Sequence, residues 1–268
     1  MIMLRSGLGY FSLPNQREDT AMMANFEVIL GNPRRNAMTE AILKTPARFQ
    51  GPNSGIVATV FVVLFFAGLM PVTALGGMPY FPGPTASVKE MVAFFSQRQG
   101  GTLMCAFLQF GSAVPLGIFT MSMVARLKFL GARAAGADMA LFGGLATAMG
   151  LVISSCVLWA MTYLGIPQDA NLLQALYRVS FGLGGPGYSV FFGLLAAGIS
   201  VTAGLYKVLP KWIVILGLVV AVAGELSWFE ILNVKLLPLI PLTRFLGFVW
   251  MIAAGFSLSK SHREEAHP

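Results

Sequence analysis

A glutamate within an apolar stretch is the residue in this sequence best suited to do chemistry. The stretch from Lys211 to Asn233 has about 20 apolar residues, enough to cross the roughly 30 Å hydrocarbon core of a bilayer. Glu225 lies about two-thirds of the way along it. A charged carboxylate that faced lipid there would cost on the order of 3 kcal/mol. We therefore expect Glu225 to face the interior of a helix bundle, protonated or paired, in the outer half of the membrane.

Four other polar residues are predicted to lie in the same half, from a rise of about 1.5 Å per helical residue. The candidate ligand- or ion-binding residues are Glu225, Arg244, Gln109, Arg178 and Glu230. A short connection makes Glu230 and Arg244 natural ion-pair partners, although Arg244 could instead reach Glu225. Two interpretations stay open. One is an outward-opening pocket in which Glu225 binds a proton, a cation or an amine, and the other is a structural hydrogen-bond network.

Catalytic and metal-binding patterns do not occur in the predicted spans. They contain no GxSxG, HExxH or glycine-rich phosphate loop. The two histidines, His262 and His267, lie in a polar tail, so histidine ligation of haem within the bilayer is excluded. Cys105 and Cys156 lie in apolar runs, which favours buried small hydrophobic residues over a disulfide framework or zinc site. We predict no catalytic residue, no metal and no cofactor, and an enzyme is disfavoured.

Composition indicates an all-α polytopic membrane protein. Hydrophobic residues make up 56% of the 268-residue chain and charged residues 11%, against about 25% charged in a typical soluble domain. The net charge of +7 does not indicate nucleic-acid binding, because the Lys and Arg residues are spread over the tail and short loops.

Six transmembrane helices are predicted in one bundle, in a domain at residues 51–260. Their approximate limits are 54–75, 102–125, 139–164, 188–208, 211–233 and 241–260. Pro115 should kink the second helix, and glycines in the third should allow close helix contact.

Two short helices are predicted on the outer surface. Ser87 and Glu90 form a capping box before an apolar face that should lie on the membrane. Asp169 or Asn171 caps the second short helix. The run Gly184–Gly187 should interrupt the chain before the fourth span.

The terminal segments and the distribution of Lys and Arg residues predict how the protein is oriented in the membrane. Residues 1–50 are interpreted as a disordered leader or an over-extended gene start, and residues 261–268 as a polar tail. With six spans, about thirteen of the 18 Lys and Arg residues fall on the side that holds both termini. Both termini are therefore predicted to be cytoplasmic.

Four motifs resemble a group of uncharacterised bacterial six-span inner-membrane proteins over about residues 54–260. They are S-V-K-E-M-V-A-F-F, D-A-N-L-L-Q-A-L, L-P-K-W-I-V-I-L-G-L and L-T-R-F-L-G-F-V-W. The resemblance implies this topology and the bacterial cytoplasmic (inner) membrane, and it transfers no site residue.

For function, we expect an accessory or assembly subunit of a membrane complex, because the spans contain few ionisable groups. The alternative is a small-molecule or ion transporter with a polar outer-half pocket around Glu225. The expected partners are the lipid bilayer and other membrane subunits or a second copy of the chain, with no nucleic acid.

Overall fold

The structure, a computed structural model, describes residues 49–132, 134–163 and 165–258, which form helices joined by turns and irregular segments, with no β-strand among them. The all-α prediction is confirmed for these residues. The α-helices are α1 (Ser54–Leu69), α2 (Val88–Gln97), α3 (Gln99–Phe129), α4 (Ala135–Ala160), α5 (Ala170–Gly182), α6 (Tyr188–Leu205), α7 (Lys211–Leu226) and α8 (Leu239–Ser257). The expectations for the leader and the polar tail fall on residues outside these ranges.

Five helical segments in the described ranges are long and apolar enough to cross a membrane. They are α3, α4, the rod Ala170–Leu205 formed by α5 and α6, Lys211–Ile231, and Val234–Ser257. The apolar helix α1 has 16 residues and is shorter, about 24 Å at 1.5 Å per residue. These segments identify a multi-pass helical membrane protein.

Small residues set the closest helix contacts, as expected where membrane helices pack without a strong hydrophobic drive. A Cβ atom on Gly224 of α7 would lie 2.5 Å from the Ser189 carbonyl oxygen and 2.8 Å from the Gly193 Cα of α6. The predicted role of the third-span glycines is also confirmed. A Cβ atom on Gly143 of α4 would lie 2.7 Å from the Leu195 amide nitrogen of α6.

Large side chains fill the centre of the bundle. Phe119 from α3, Phe192 from α6 and Trp250 from α8 are fully buried. The Trp250 indole lies 6.2 Å from the Phe192 ring in an edge-to-face arrangement. This packing leaves the middle of the bundle closed.

A second apolar cluster covers the end of the bundle where α3 begins and α4 ends. We call α2, α5 and the connecting segment 70–87 the cap. The cluster consists of Val72, Met91, Phe94, Phe95, Cys105, Ala106, Leu158, Met161, Leu173 and Tyr177. The apolar face of α2 was expected to lie on lipid, but it packs against protein, because α5 and the bundle helices offer it an apolar surface.

Both predicted helix caps are present. The Ser87 N–H donates to the Glu90 carboxylate at 2.7 Å, and the Glu90 N–H donates to the Ser87 hydroxyl at 3.3 Å. For α5 the capping residue is Asp169, which accepts from the N–H groups of Asn171 and Leu172 at 3.2 and 3.0 Å.

The run Gly184–Gly187 was predicted to interrupt the chain before the fourth span, but it does not. The chain stays helical through the run Gly184–Gly187, because Leu183–Gly187 forms a π-helical turn between α5 and α6. Pro186 lacks an N–H, and the wider π turn accommodates the missing bond. Pro115 lies inside α3, as predicted for the second span.

Candidate functional site

A cavity of about 300 Å³ lies between the bundle and the cap. Its wall comes from the end of α1, the segment 70–87, α3, α4, α5, the π turn and the beginning of α8. Most of the lining is apolar, as is usual for small-molecule sites. The lining residues with polar side-chain atoms are Thr73, Cys105, Gln109, Ser154, Tyr177, Ser180 and Arg244.

Arg244 supplies the charge in this lining. It lies on α8 beside two aromatic rings, with its guanidinium carbon 4.7 Å from the Tyr188 ring centroid and 5.1 Å from that of Phe65. One terminal N–H donates to the backbone carbonyl of Gly184, and the Nε–H has no partner. Aromatic faces stabilise a desolvated cation by about 0.5–2 kcal/mol each, but they leave its charge uncompensated.

The π turn explains why the Gly184 carbonyl can accept this bond. In an α-helix its donor would be the N–H of Tyr188, four residues on. Here the Tyr188 N–H donates to the carbonyls of Leu183 and Gly185 instead. The same turn therefore provides both the acceptor for Arg244 and, in Tyr188, one of the rings that it contacts.

The predicted ion pair between Glu230 and Arg244 is not formed. The one ion pair between described residues joins Lys128 and Asp138 at 2.6 Å. Glu230 is 8% exposed and lies in the 3₁₀ turn Ser227–Ile231 that follows α7. This tighter winding rotates Glu230 away from its α-helical position, while Arg244 is held by Gly184 and the rings.

The prediction that Glu225 faces the bundle interior is wrong. Its side chain is exposed, and no described residue forms a hydrogen bond or ion pair with it. At about 100° per residue, Glu225 lies about a third of a turn from the middle of the buried face of α7. That face consists of Ile213, Gly217, Val220, Ala221, Ala223 and Gly224.

Two of the five predicted residues, Gln109 and Arg244, therefore share the cavity. Arg178 is exposed on α5 and, like Glu225 and Glu230, does not line it. Of the two cysteines, Cys105 is buried at the cavity as expected, whereas Cys156 is exposed.

Several lining residues were missed from the sequence, and two of them form a reciprocal clasp between α4 and α5. The Ser154 hydroxyl donates to the Ser180 carbonyl at 2.8 Å, and the Ser180 hydroxyl donates to the Ser154 carbonyl at 3.1 Å. One turn before Ser180, the Tyr177 hydroxyl donates to the Pro82 carbonyl at 2.5 Å and so holds the segment 70–87 against α5. The spacing of Leu173, Tyr177 and Ser180 on one helical face was the available signal.

The clasp and the tyrosine bond engage these hydroxyl groups within the protein. Arginine has five N–H donors, and Gly184 takes one of them. The guanidinium therefore retains donors for a ligand, and its planar fork matches a carboxylate or phosphate. Among the described residues, no three His, Cys, Asp or Glu side chains are grouped so that they could hold a metal ion.

Comparisons of the chain with protein-family models, curated proteins and solved structures give no match.

Proposed function

We propose that this membrane protein binds a small organic anion with an apolar body in the cavity at Arg244. One observation carries the proposal: a guanidinium with unused donors lines an otherwise apolar cavity, and no described carboxylate pairs with it. Leaving a charge uncompensated at a desolvated site is costly, so an anion that completes its hydrogen bonds would bind favourably. The apolar walls would receive the rest of the ligand.

This proposal differs from a cation or amine site at Glu225. The cavity does not include Glu225, and its charged group is positive. Recognition would therefore select a carboxylate or phosphate and reject a cation.

The test compares octanoate with octanol, which has a matching apolar chain but no charge. Thermal unfolding of the purified protein should shift upwards with octanoate, because a ligand at 100 times its Kd stabilises the folded state by about 2.7 kcal/mol. Octanol should give a much smaller shift. Arg244→Gln should abolish the octanoate shift, whereas the exposed control Arg178→Gln should retain it. Equal shifts in wild type and Arg244→Gln would contradict the proposal.

The proposed setting is a six-span bundle in the bacterial inner membrane, with both termini cytoplasmic and the cavity in the outer half. The apolar composition of α1 supports a sixth span, since a bilayer can thin by several ångströms around a short helix. The basic residues near the α3–α4 and α6–α7 connections support the orientation. Reporter fusions at Ser261 and within residues 82–87 should report opposite sides of the membrane, and the same side for both would contradict six spans.

A second candidate role is that of an accessory or assembly subunit, and the exposed Glu225 favours it. An outward-facing carboxyl without a partner, on a bundle with a closed centre, would be satisfied by a donor or cation from another subunit. Gentle purification from the native membrane should then recover a stoichiometric complex that Glu225→Leu disrupts and Val222→Ala, on the neighbouring exposed position, leaves intact. Recovery of the wild-type chain alone would argue against this role.

A further inference from the structure

We propose that the cavity takes a single-chain amphiphile with an anionic head, and that this ligand enters from the membrane along the seam between α1 and α8. The inference rests on the proposed anion site at Arg244. It adds the class of ligand, a fatty-acid-like carboxylate or an alkyl phosphate, and its source, the lipid phase.

The length of α1 creates the seam. Its 16 residues span about 24 Å, less than the roughly 30 Å hydrocarbon core. The opposing segment, Val234–Ser257, has 24 residues. Only its last 19 residues form α8, so beyond the end of α1 the turns that precede α8 have no α1 turn beside them, and the cavity borders that region through Leu69, Leu237 and Pro241.

Aromatic packing closes the same seam one turn deeper. Phe66 of α1 stacks on Phe245 of α8 with their centroids 5.8 Å apart, and both rings are more than 40% exposed on the bundle surface. Phe248 packs edge-on to Phe66 at 5.7 Å. The gap between α1 and α8 is therefore confined to the level just above Arg244.

The chemistry along this route suits an amphiphile. Leu69, Leu237 and Pro241 are apolar, so an acyl chain in the seam keeps the environment that it has in lipid. Arg244 lies next to this wall and provides the anion receptor, while the exposed Lys235 adds positive charge at the beginning of the segment Val234–Ser257. Cationic side chains at headgroup depth attract anionic lipids by about 1 kcal/mol each.

The size of the cavity limits how much of the ligand is enclosed. A volume of about 300 Å³ corresponds to about ten water-sized volumes of roughly 30 Å³. A carboxylate and about eight methylene groups, each roughly the size of a water molecule, fill this space. A longer chain must extend through the seam into lipid, whereas a small water-soluble anion would fit entirely inside.

The experiment uses the full chain reconstituted in phosphatidylcholine vesicles with palmitic acid that carries a diazirine at the end of its chain. Irradiation should label peptides that border the seam, and peptide mass spectrometry locates the label. Arg244→Gln should reduce this labelling at least tenfold, and Arg178→Gln should leave it unchanged. Leu237→Trp, which narrows the seam without removing the cation, should also reduce it.

Competition tests the wild-type protein without relying on a variant to fold. Unlabelled palmitate should compete, hexadecanol of equal chain length should not, and butyrate or inorganic phosphate added from the water phase should have little effect. Effective competition by butyrate or phosphate would assign the site to a soluble anion and overturn this inference.

Two outcomes separate this inference from the proposed function. If octanoate stabilises the protein through Arg244 but palmitate labels wild type and Arg244→Gln equally, the anion site stands and the lipid-derived ligand is wrong. If neither the thermal shift caused by octanoate nor the labelling by palmitate depends on Arg244, both proposals are wrong.

Discussion

Glu225→Leu is expected to stabilise the isolated protein, although the sequence suggests the opposite. The carboxyl is exposed beside Val222 and Leu226, which are 60% and 45% exposed on the same apolar surface. No hydrogen bond or ion pair from a described residue is lost with it. The substitution therefore removes a polar group from an apolar surface, and it leaves no hydrogen-bond partner unsatisfied among the described residues.

The size of the expected stabilisation depends on how deep Glu225 lies in the membrane. A charged side chain at the bilayer centre costs about 3 kcal/mol on insertion scales, and leucine there gains about 0.5 kcal/mol. Glu225 lies six residues before Ile231, or about 9 Å from the end of the helical segment, where these values are smaller. We expect a stabilisation of about 1–2 kcal/mol.

The assay is equilibrium unfolding in mixed detergent micelles, with Gly224→Leu as the matched control. The same side chain one position earlier would collide with Gly193 and the Ser189 carbonyl of α6, so it should destabilise by about 1–3 kcal/mol or more. The free energy of unfolding should therefore rise for Glu225→Leu and fall for Gly224→Leu. A loss of more than about 1 kcal/mol for Glu225→Leu would refute the reasoning, because it would mean that the carboxyl has a partner within the fold.

Two further predictions concern the cap. Ser154→Ala and Ser180→Ala should each lower the free energy of unfolding. Because the two serines hydrogen-bond to each other, a double-mutant cycle should give a coupling energy of about 0.5–2 kcal/mol. Additive effects of the two substitutions would contradict the clasp. The hydrogen bonds that Glu90 accepts from Ser87 hold its pKa below the usual 4.5. This contribution to stability is present above pH 4.5 and is lost as the pH falls through the lowered pKa. Thermal unfolding between pH 6 and pH 3 should therefore change more in wild type than in Glu90→Ala, and an equal change would show that the capping box contributes nothing.

The helices and their caps could be predicted because they depend on local sequence. The length of each apolar run predicts where the helices lie, although α1 ends at Leu69, six residues before the predicted limit of the first span. The capping box at Ser87 requires only residues three positions apart, so it can be predicted from sequence without knowledge of the fold. The run Gly184–Gly187 was misjudged because glycine and proline disfavour an α-helix, yet a π turn between packed helices accommodates them.

The candidate site could be predicted only in part, because direction around a helix depends on which neighbour packs there. The constant rise per residue along a helix correctly predicted that Gln109 and Arg244 lie at a similar depth in the membrane, and both line the cavity. It could not decide that Glu225 points outwards, because this follows from the contact of Gly224 with Gly193 on another helix. Nor could it pair Arg244 with the backbone carbonyl of Gly184 in the π turn, because the turn itself was not predicted.

Apolar runs of about 20 residues and a scarcity of charge are enough to identify a multi-pass helical membrane protein, because a helix of that length satisfies all its backbone hydrogen bonds within the segment. The position of the cavity that Arg244 lines depends instead on how the helices pack. Contacts between residues distant in the chain left Arg244 without a carboxylate beside a 300 Å³ space and turned Glu225 away from it. Such contacts depend on helix rotation and neighbour identity, which hydrophobic pattern and residue spacing leave open when every face of a membrane helix is apolar.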